Sequence, residues 1–164
     1  MVKIRPVTVE EMERLLSCEI EIWESLREFL PDSFVNPNIE MLRRSETLDN
    51  FKRFLEDKEV ILLIALENDE IIGLAIGRVK EDGVGHLGFL GVRPEHRRKG
   101  VGSTLLQEYL KEAKKRNAHK VWLFTAPSLQ LAIRLYVKTG FIPEGYMRRH
   151  SFGLDLIFYS KFLT

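Results

Sequence analysis

The residues with the clearest capacity for chemistry are three consecutive cations followed by glycines at alternate positions. An apolar, strand-like run precedes them and a helical apolar pattern follows. A loop at such a junction presents unpaired N–H groups at the positive end of a helix, and glycine lets a ligand approach the backbone without meeting a Cβ. The segment therefore predicts a polyphosphate site. It consists of Arg97, Arg98, Lys99, Gly100, Val101, Gly102 and Ser103.

The spacing of these glycines separates this loop from two common phosphate-binding motifs. The dinucleotide fingerprint G-x-G-x-x-G needs a further glycine after Gly102, and the P-loop needs four residues between its glycines and then Lys-Ser/Thr. Neither pattern is present. The spacing here is Arg-x-x-Gly-x-Gly, from Arg97 to Gly102.

A second motif lies downstream, at residues 132–141, with the pattern A-x-x-L-Y-x-K-x-G-F. A strand-like run ends before Pro127, and Ser128 is the predicted N-cap of the helix that carries this motif. Gly140 occupies the place of a C-cap glycine, and Lys138 lies in the last turn, where a cation suits the helix dipole.

These two motifs, in this order and at this separation, resemble those of the GNAT family of N-acetyltransferases. The resemblance covers nearly the whole chain and is most specific over residues 86–141. It implies one domain over residues 1–164 with an α/β (α+β) fold. A mixed central sheet of about seven strands would be flanked by about four helices.

Hydrophobic patterning predicts an element order consistent with that fold, β-α-α-β-β-β-α-β-α-β-β. A capping box at Thr8 and Glu11 opens the first helix, which ends before Pro31. The polar stretch 32–38 is predicted to be a connection, and a second helix is predicted around residues 41–55.

We call residues 97–103 the phosphate loop. The resemblance implies that the strand before this loop, residues 87–92, separates from the strand at residues 120–126 and binds the pantetheine arm of acetyl-CoA. Leu90, Gly91 and Val92 would supply the backbone contacts, and one amide would stabilise the thioester oxyanion. An isolated glycine in a strand also predicts a β-bulge at Gly91. Leu129 departs from the family, where many members carry an asparagine that contacts the cofactor.

Two side chains are the predicted catalytic residues. By resemblance, Tyr136 lies near the acyl-CoA sulfur and protonates the departing thiolate, a role that suits a neutral phenol. His86 occupies the position of a glutamate that acts as the base in some members, and its ordinary pKa near ~6.5 suits a base at neutral pH. Phe124 replaces another glutamate used by other members. The alternative interpretation is that both residues only pack.

Composition narrows the function class further. The net charge of +1 favours neither nucleic acid nor a membrane surface, so the basic cluster is assigned to the cofactor's phosphates. The single cysteine, Cys18, fits a reducing cytoplasm, and the four histidines lack metal-site spacing. We therefore expect a cytoplasmic protein with no metal and no membrane partner; a homodimer stays open.

The acceptor is the least determined part of the function. The predicted reaction is direct transfer of an acetyl group from acetyl-CoA to a primary amine of a small molecule or protein, in a ternary complex. The acidic residues Glu24 and Asp32 could attract a cationic amine, although ordinary surface is the favoured interpretation. The alternatives are a non-catalytic acyl-CoA-binding sensor module and an acyltransferase that uses a different acyl-CoA.

Overall fold

A seven-stranded sheet forms the centre of the computed structural model, which describes residues 1–163. The strand order is β1-β2-β3-β4-β5-β7-β6, and every neighbouring pair is antiparallel except β4 and β5. The strands are β1 (Lys3–Pro6), β2 (Val60–Glu67), β3 (Glu70–Val79), β4 (Val84–Val92), β5 (Lys120–Thr125), β6 (Ile142–Ser151) and β7 (Leu154–Phe162). The helices are α1 (Met12–Ser25), α2 (Asp32–Arg43), α3 (Ser45–Phe54), α4 (Val101–Lys115) and α5 (Gln130–Thr139). This is the mixed α/β sheet that the sequence predicts.

Helices cover both faces of the sheet and divide the core in two. Residues of α4 and α5 pack with the central strands on one face. Residues of α1 and α3 pack with β2 and β3 on the other face, and α2 packs beside α1. The run 60–66 in β2 is buried throughout, which explains why it is continuously apolar rather than alternating. Within residues 1–163, the structure contains no helix long and apolar enough to cross a bilayer.

The predicted connection at residues 32–38 is wrong, because these residues form the first half of α2. Pro37 and several polar residues suggested a loop, but Phe34, Val35, Ile39 and Leu42 recur at helical spacing and are buried. The region predicted as one helix around residues 41–55 is therefore divided between α2 and α3. Residues 1–163 contain five α-helices where about four were expected.

A close approach of α4 to the sheet positions the start of β4. The Tyr109 hydroxyl donates a hydrogen bond of 2.8 Å to the carbonyl oxygen of His86. A Cβ at Gly77 would lie 2.1 Å from both of those oxygens, so this contact requires glycine. Helix α4 is therefore held against the first half of β4 at His86. The N-terminus of the helix lies near Val92, the last residue of the same strand.

Candidate active site

The two parallel strands at the centre of the sheet separate after three paired positions. Val84 pairs with Lys120, Gly85 with Val121 and His86 with Trp122, and within residues 1–163 the register continues no further. Beyond that point β4 keeps β3 as a neighbour on one edge. Its other edge therefore has backbone groups free to bind an extended ligand by strand-like hydrogen bonds.

The predicted bulge at Gly91 is wrong, since the register of β3 and β4 shifts instead between Ile76 and Gly77, at Gly88. Gly91 is needed for another reason. A Cβ at that position would lie 2.8 Å from Ile22 of α1 and 2.9 Å from the Phe89 ring. The glycine thus lets α1 pack closely over the open part of β4.

The phosphate loop, residues 97–103, contains two residues with left-handed backbone conformation. Gly100 is the N-cap of α4 with a left-handed φ of 85°, and Arg98 also has a positive φ, of 62°. No atom of the described structure lies within 4 Å of a Cβ built at Gly100, and one at Gly102 would make only ordinary contacts, the nearest at 3.6 Å. Internal packing does not require glycine at Gly102, and the open space at Gly100 suits a ligand at the helix N-terminus.

The three cations of the loop have different surroundings. Arg97 is half-buried; its Nε donates to the Val92 carbonyl oxygen at 2.8 Å, and its Nη2 donates to Ser25 Oγ at 2.7 Å. Burial lowers the pKa of Arg97, and the group stays charged at neutral pH. Arg98 and Lys99 are exposed and have no ion pair within residues 1–163. Arg97 therefore ties the loop to α1 and β4, while the other two offer their charge to solvent.

Tyr136 lies in α5, a helix that packs beside the first turn of α4. Leu135, its neighbour in sequence, is the side chain nearest to the Cβ position at Gly102. The Tyr136 ring is buried against Phe141 and Tyr159, with centroid distances of 5.8 and 6.4 Å. Burial raises its pKa to about 12, so the phenol keeps its proton at neutral pH. Tyr136 is therefore a neutral, buried phenol in the helix whose Leu135 approaches the first turn of α4.

His86 lies at the last paired position of β4 and β5, where the strands begin to part. Its ring stacks on Trp122 at a centroid distance of 3.9 Å, and its Nε2 is buried with no hydrogen-bond partner among the described residues. Burial, and secondarily the charge of Lys80, lower its pKa. At about 3.3 Å per residue, His86 is roughly 13 Å along the strand from Leu90.

Sequence reasoning missed Glu19, a carboxyl group on the buried face of α1. It is only 6% exposed, and its Oε2 has no hydrogen-bond partner among residues 1–163. Burial raises its pKa to about 7, and the hydrogen bond from Trp23 acts in the opposite direction. A signal was available, because Glu19 interrupts the helical apolar stripe formed by Leu15 and Ile22.

This arrangement agrees with a match to a protein-family model. Residues 22–141 match the model described as the acetyltransferase (GNAT) family, which covers well over half of the chain. The chain belongs to the GNAT acetyltransferase family. No curated protein matches it at the sequence level.

Solved structures support the same GNAT fold. The PaiA N-acetyltransferase of Thermoplasma acidophilum, solved in complex with coenzyme A, has 21% identity and a TM-score of 0.83 over 99% of both chains. A GNAT acetyltransferase from Streptococcus pneumoniae has 22% identity and a TM-score of 0.79 over 100% of both. The ribosomal-protein-alanine N-acetyltransferase of Brucella melitensis has 26% identity and a TM-score of 0.76, covering 98% of this chain and 99% of its own.

The start of α5 differs from its prediction in this GNAT chain. The N-cap is Leu129, not Ser128, and its side chain makes no capping hydrogen bond. The Gln130 side chain instead donates to the Pro127 carbonyl oxygen at 2.6 Å, and the Leu129 side chain packs on a small apolar cluster. Leu129 therefore contributes packing at this position and no polar group.

Acidic groups elsewhere have partners or are exposed. Arg27 donates hydrogen bonds of 2.7 Å to both Glu24 and Asp32, which makes them the ordinary surface that the sequence favoured. Ligand atoms of Glu70, Glu95 and His96 lie within 4.8 Å of one another, a proximity that sequence spacing did not suggest. Both carboxylates are exposed, and Arg93 lies 3.8 Å from Glu70.

The buried Glu19 carboxyl makes stability depend on pH. Its folded pKa is about 7 and the unfolded value is 4.5, so the folded state holds the proton more tightly. As pH rises from 4.5 through 7, the unfolded state loses this proton first, and the folded state is destabilised by up to about 3 kcal/mol. Relative to the wild type, Glu19→Gln should therefore gain unfolding free energy between pH 5 and 8, measured by urea denaturation at each pH. Parallel stability curves for the two proteins would contradict this expectation.

Proposed function

We propose that this protein transfers an acetyl group from acetyl-CoA to a primary amine, by direct attack within a ternary complex. The observation that carries the proposal is the open edge of β4 beside the glycine-capped N-terminus of α4. Such an edge can pair with the amide groups of a pantetheine arm while the helix N-terminus binds the pyrophosphate. Membership of the GNAT acetyltransferase family is consistent with this use of the two elements.

The proposed cofactor contacts are mainly backbone groups. Leu90, Gly91 and Val92 present the open strand edge, and the first-turn amides of Val101, Gly102 and Ser103 present N–H groups at the positive end of the helix dipole. The exposed side chains of Arg98 and Lys99 add charge for the phosphates, and Arg97 holds the loop in place through Val92 and Ser25.

The bound thioester supplies an activated acyl group, and the chain's own residues manage charge and protons around it. A backbone N–H of β4 directed at the carbonyl oxygen would stabilise the negative charge that develops there. Tyr136 would donate its phenolic proton to the departing sulfur, since its raised pKa keeps it protonated until that charge appears. His86 would accept the proton of the attacking amine through intervening water, because its lowered pKa keeps it neutral at pH 7.

Direct attack is favoured over a covalent acyl-enzyme by the state of the single cysteine. Cys18 is buried, and burial raises the pKa of its thiol to about 11. A thiol rather than a thiolate is therefore present at neutral pH, and the thiolate is the nucleophilic form.

Gly102→Glu should abolish acetyl-CoA binding while the protein stays folded. A carboxylate in the first turn suits the helix dipole, whereas its bulk and charge oppose a pyrophosphate at the same place. Calorimetric titration should show wild-type binding at micromolar concentrations and a loss of at least about 100-fold, equivalent to about 2.7 kcal/mol. Gly102→Ala is the matched control, with a nearest contact of 3.6 Å. Equal affinity in the Glu variant would refute the phosphate site; no wild-type binding would redirect the search to other acyl-CoAs.

Tyr136→Phe should lower kcat by roughly 100-fold, because it removes the proton donor and leaves the packing of the ring. Acetyl-CoA affinity should be nearly unchanged, since the proposed contacts are made by β4 and the phosphate loop. Release of CoA measured with a panel of primary amines gives the rate. Tyr159→Phe, which alters a tyrosine packed on the same ring, is the control. Unchanged turnover in Tyr136→Phe would exclude Tyr136 as the general acid.

His86→Gln should lower turnover at least roughly 10-fold and change the acid limb of the pH–rate profile. The expected reason is that the neutral imidazole accepts a proton that glutamine cannot accept. The profile of kcat/KM between pH 5.5 and 9 measures this, with His119→Gln as a control for loss of a histidine. An acid limb identical to that of the wild type would exclude His86 as the base.

A further inference from the structure

Glu19 has no role in the reaction described so far, yet its burial is costly. Nearly all of the side chain is enclosed, and the unpartnered Oε2 has no cation beside it among residues 1–163. A buried carboxyl without a counter-charge destabilises a fold once it ionises, so a cation bound beside it would stabilise the ionised form.

The position of Glu19 relates it to the open edge of β4. Ile22, three residues further along α1, packs closest to Gly91. One helical turn rises about 5.4 Å, so Glu19 lies about one turn from the part of α1 that covers the proposed thioester site. Phe89 connects the two places, because its ring packs at Gly91 and lies 5.5 Å from the ring of Trp23, which hydrogen-bonds to Glu19.

Aromatic rings separate this carboxyl from solvent. The Trp23 ring lies 6.0 Å from that of Phe34, and Phe34 meets Phe152 edge-on at 6.3 Å. Phe152, in the turn between β6 and β7, is 60% exposed. Ring faces attract ammonium groups, and exposed side chains change rotamer within nanoseconds. A series of packed aromatic rings therefore runs from the Trp23 ring beside Glu19 to the exposed side chain of Phe152.

The charges around Glu19 distinguish it from the other acidic groups of α1. Glu24 is paired with Arg27, and Glu21 with Arg93. The sheet residues packed against this part of α1 are apolar, namely Ile76 and Phe89. On its own helix the adjacent titratable group is the Cys18 thiol, to which the Arg93 side chain hydrogen-bonds. In α2, which packs beside α1, the first acidic residue is Asp32, and it forms an ion pair with Arg27. Among the described acidic residues of α1, Glu19 combines burial with the absence of an ion pair, whereas Glu13 is exposed.

We propose that Glu19, with the rings of Trp23 and Phe89, forms the subsite that binds the ammonium group of the acceptor. This inference rests on the proposed function and narrows its acceptor to a single primary ammonium attached to an apolar or aromatic body. An acceptor with several cations would find one compensating carboxylate here. A protonated Glu19 releases its proton to solvent when the ammonium binds; the ammonium's own proton leaves later, before attack.

A kinetic comparison of Glu19→Gln with Glu13→Gln tests the subsite, using phenethylamine as the acceptor and spermidine for contrast. Glu13 lies on the exposed face of the same helix. Glu19→Gln should raise the KM for phenethylamine at least tenfold, change kcat less than threefold and leave acetyl-CoA affinity unchanged. The wild-type KM should fall as pH rises through 7, because the carboxyl ionises there, and the KM of the Gln variant should lack that dependence. An unchanged KM, or a fall in kcat alone, overturns the proposal.

A binding measurement separates failure of the subsite from failure of the proposed function. Phenethylamine is titrated into the CoA-loaded protein in two buffers of different ionisation enthalpy, near pH 7. The wild type should bind it and release a proton, and Glu19→Gln should bind weakly with no release. Glu19-dependent binding without acetyl transfer retains the subsite and rejects the proposed reaction. Acetyl transfer with an amine affinity that does not depend on Glu19 retains the proposed reaction and rejects the subsite. If the wild type does not bind phenethylamine, the proposed acceptor class is wrong.

Discussion

The separation of β4 from β5 is the constraint around which the rest of the molecule is arranged. A strand inside a sheet must pair its backbone groups on both edges, and β4 does so only up to His86. Beyond that residue, one edge of a central strand remains open for a ligand. Helix α4 begins just after this strand ends, α1 covers the strand from one face, and α5 packs Leu135 beside the first turn of α4.

Contacts on both faces hold the last paired position in place. The Tyr109 hydroxyl bonds to the His86 carbonyl oxygen from one side of the sheet, and the rings of His86 and Trp122 stack on each other. The bulge at Gly88 follows at once, and a bulge bends a strand and increases its twist. Together these features direct β4 away from β5 at one defined residue.

The charged groups near the open edge of β4 differ in their exposure to solvent. At the phosphate loop, the side chains of Arg98 and Lys99 are exposed to solvent. A charged group there has little desolvation cost, and its electrostatic field attracts an anion over a long range. On the α1 face, Glu19 is enclosed among aromatic rings, where a charge is expensive and its electrostatic interactions are strong. The cationic loop thus follows the end of β4, and the buried carboxyl belongs to the helix that covers one face of that strand.

Features encoded by short segments were determined by the sequence alone. The order of the seven strands along the chain, helix α4 after the glycine-containing loop and the C-cap Gly140 follow from local backbone preferences and hydrophobic spacing. Features that need distant elements were decided by the tertiary structure: helix α2 over a stretch that contains Pro37, the bulge at Gly88, and the unpartnered carboxyl of Glu19. The physical reason is that local conformation depends on a few neighbouring residues, whereas burial and register depend on what the rest of the chain brings against them.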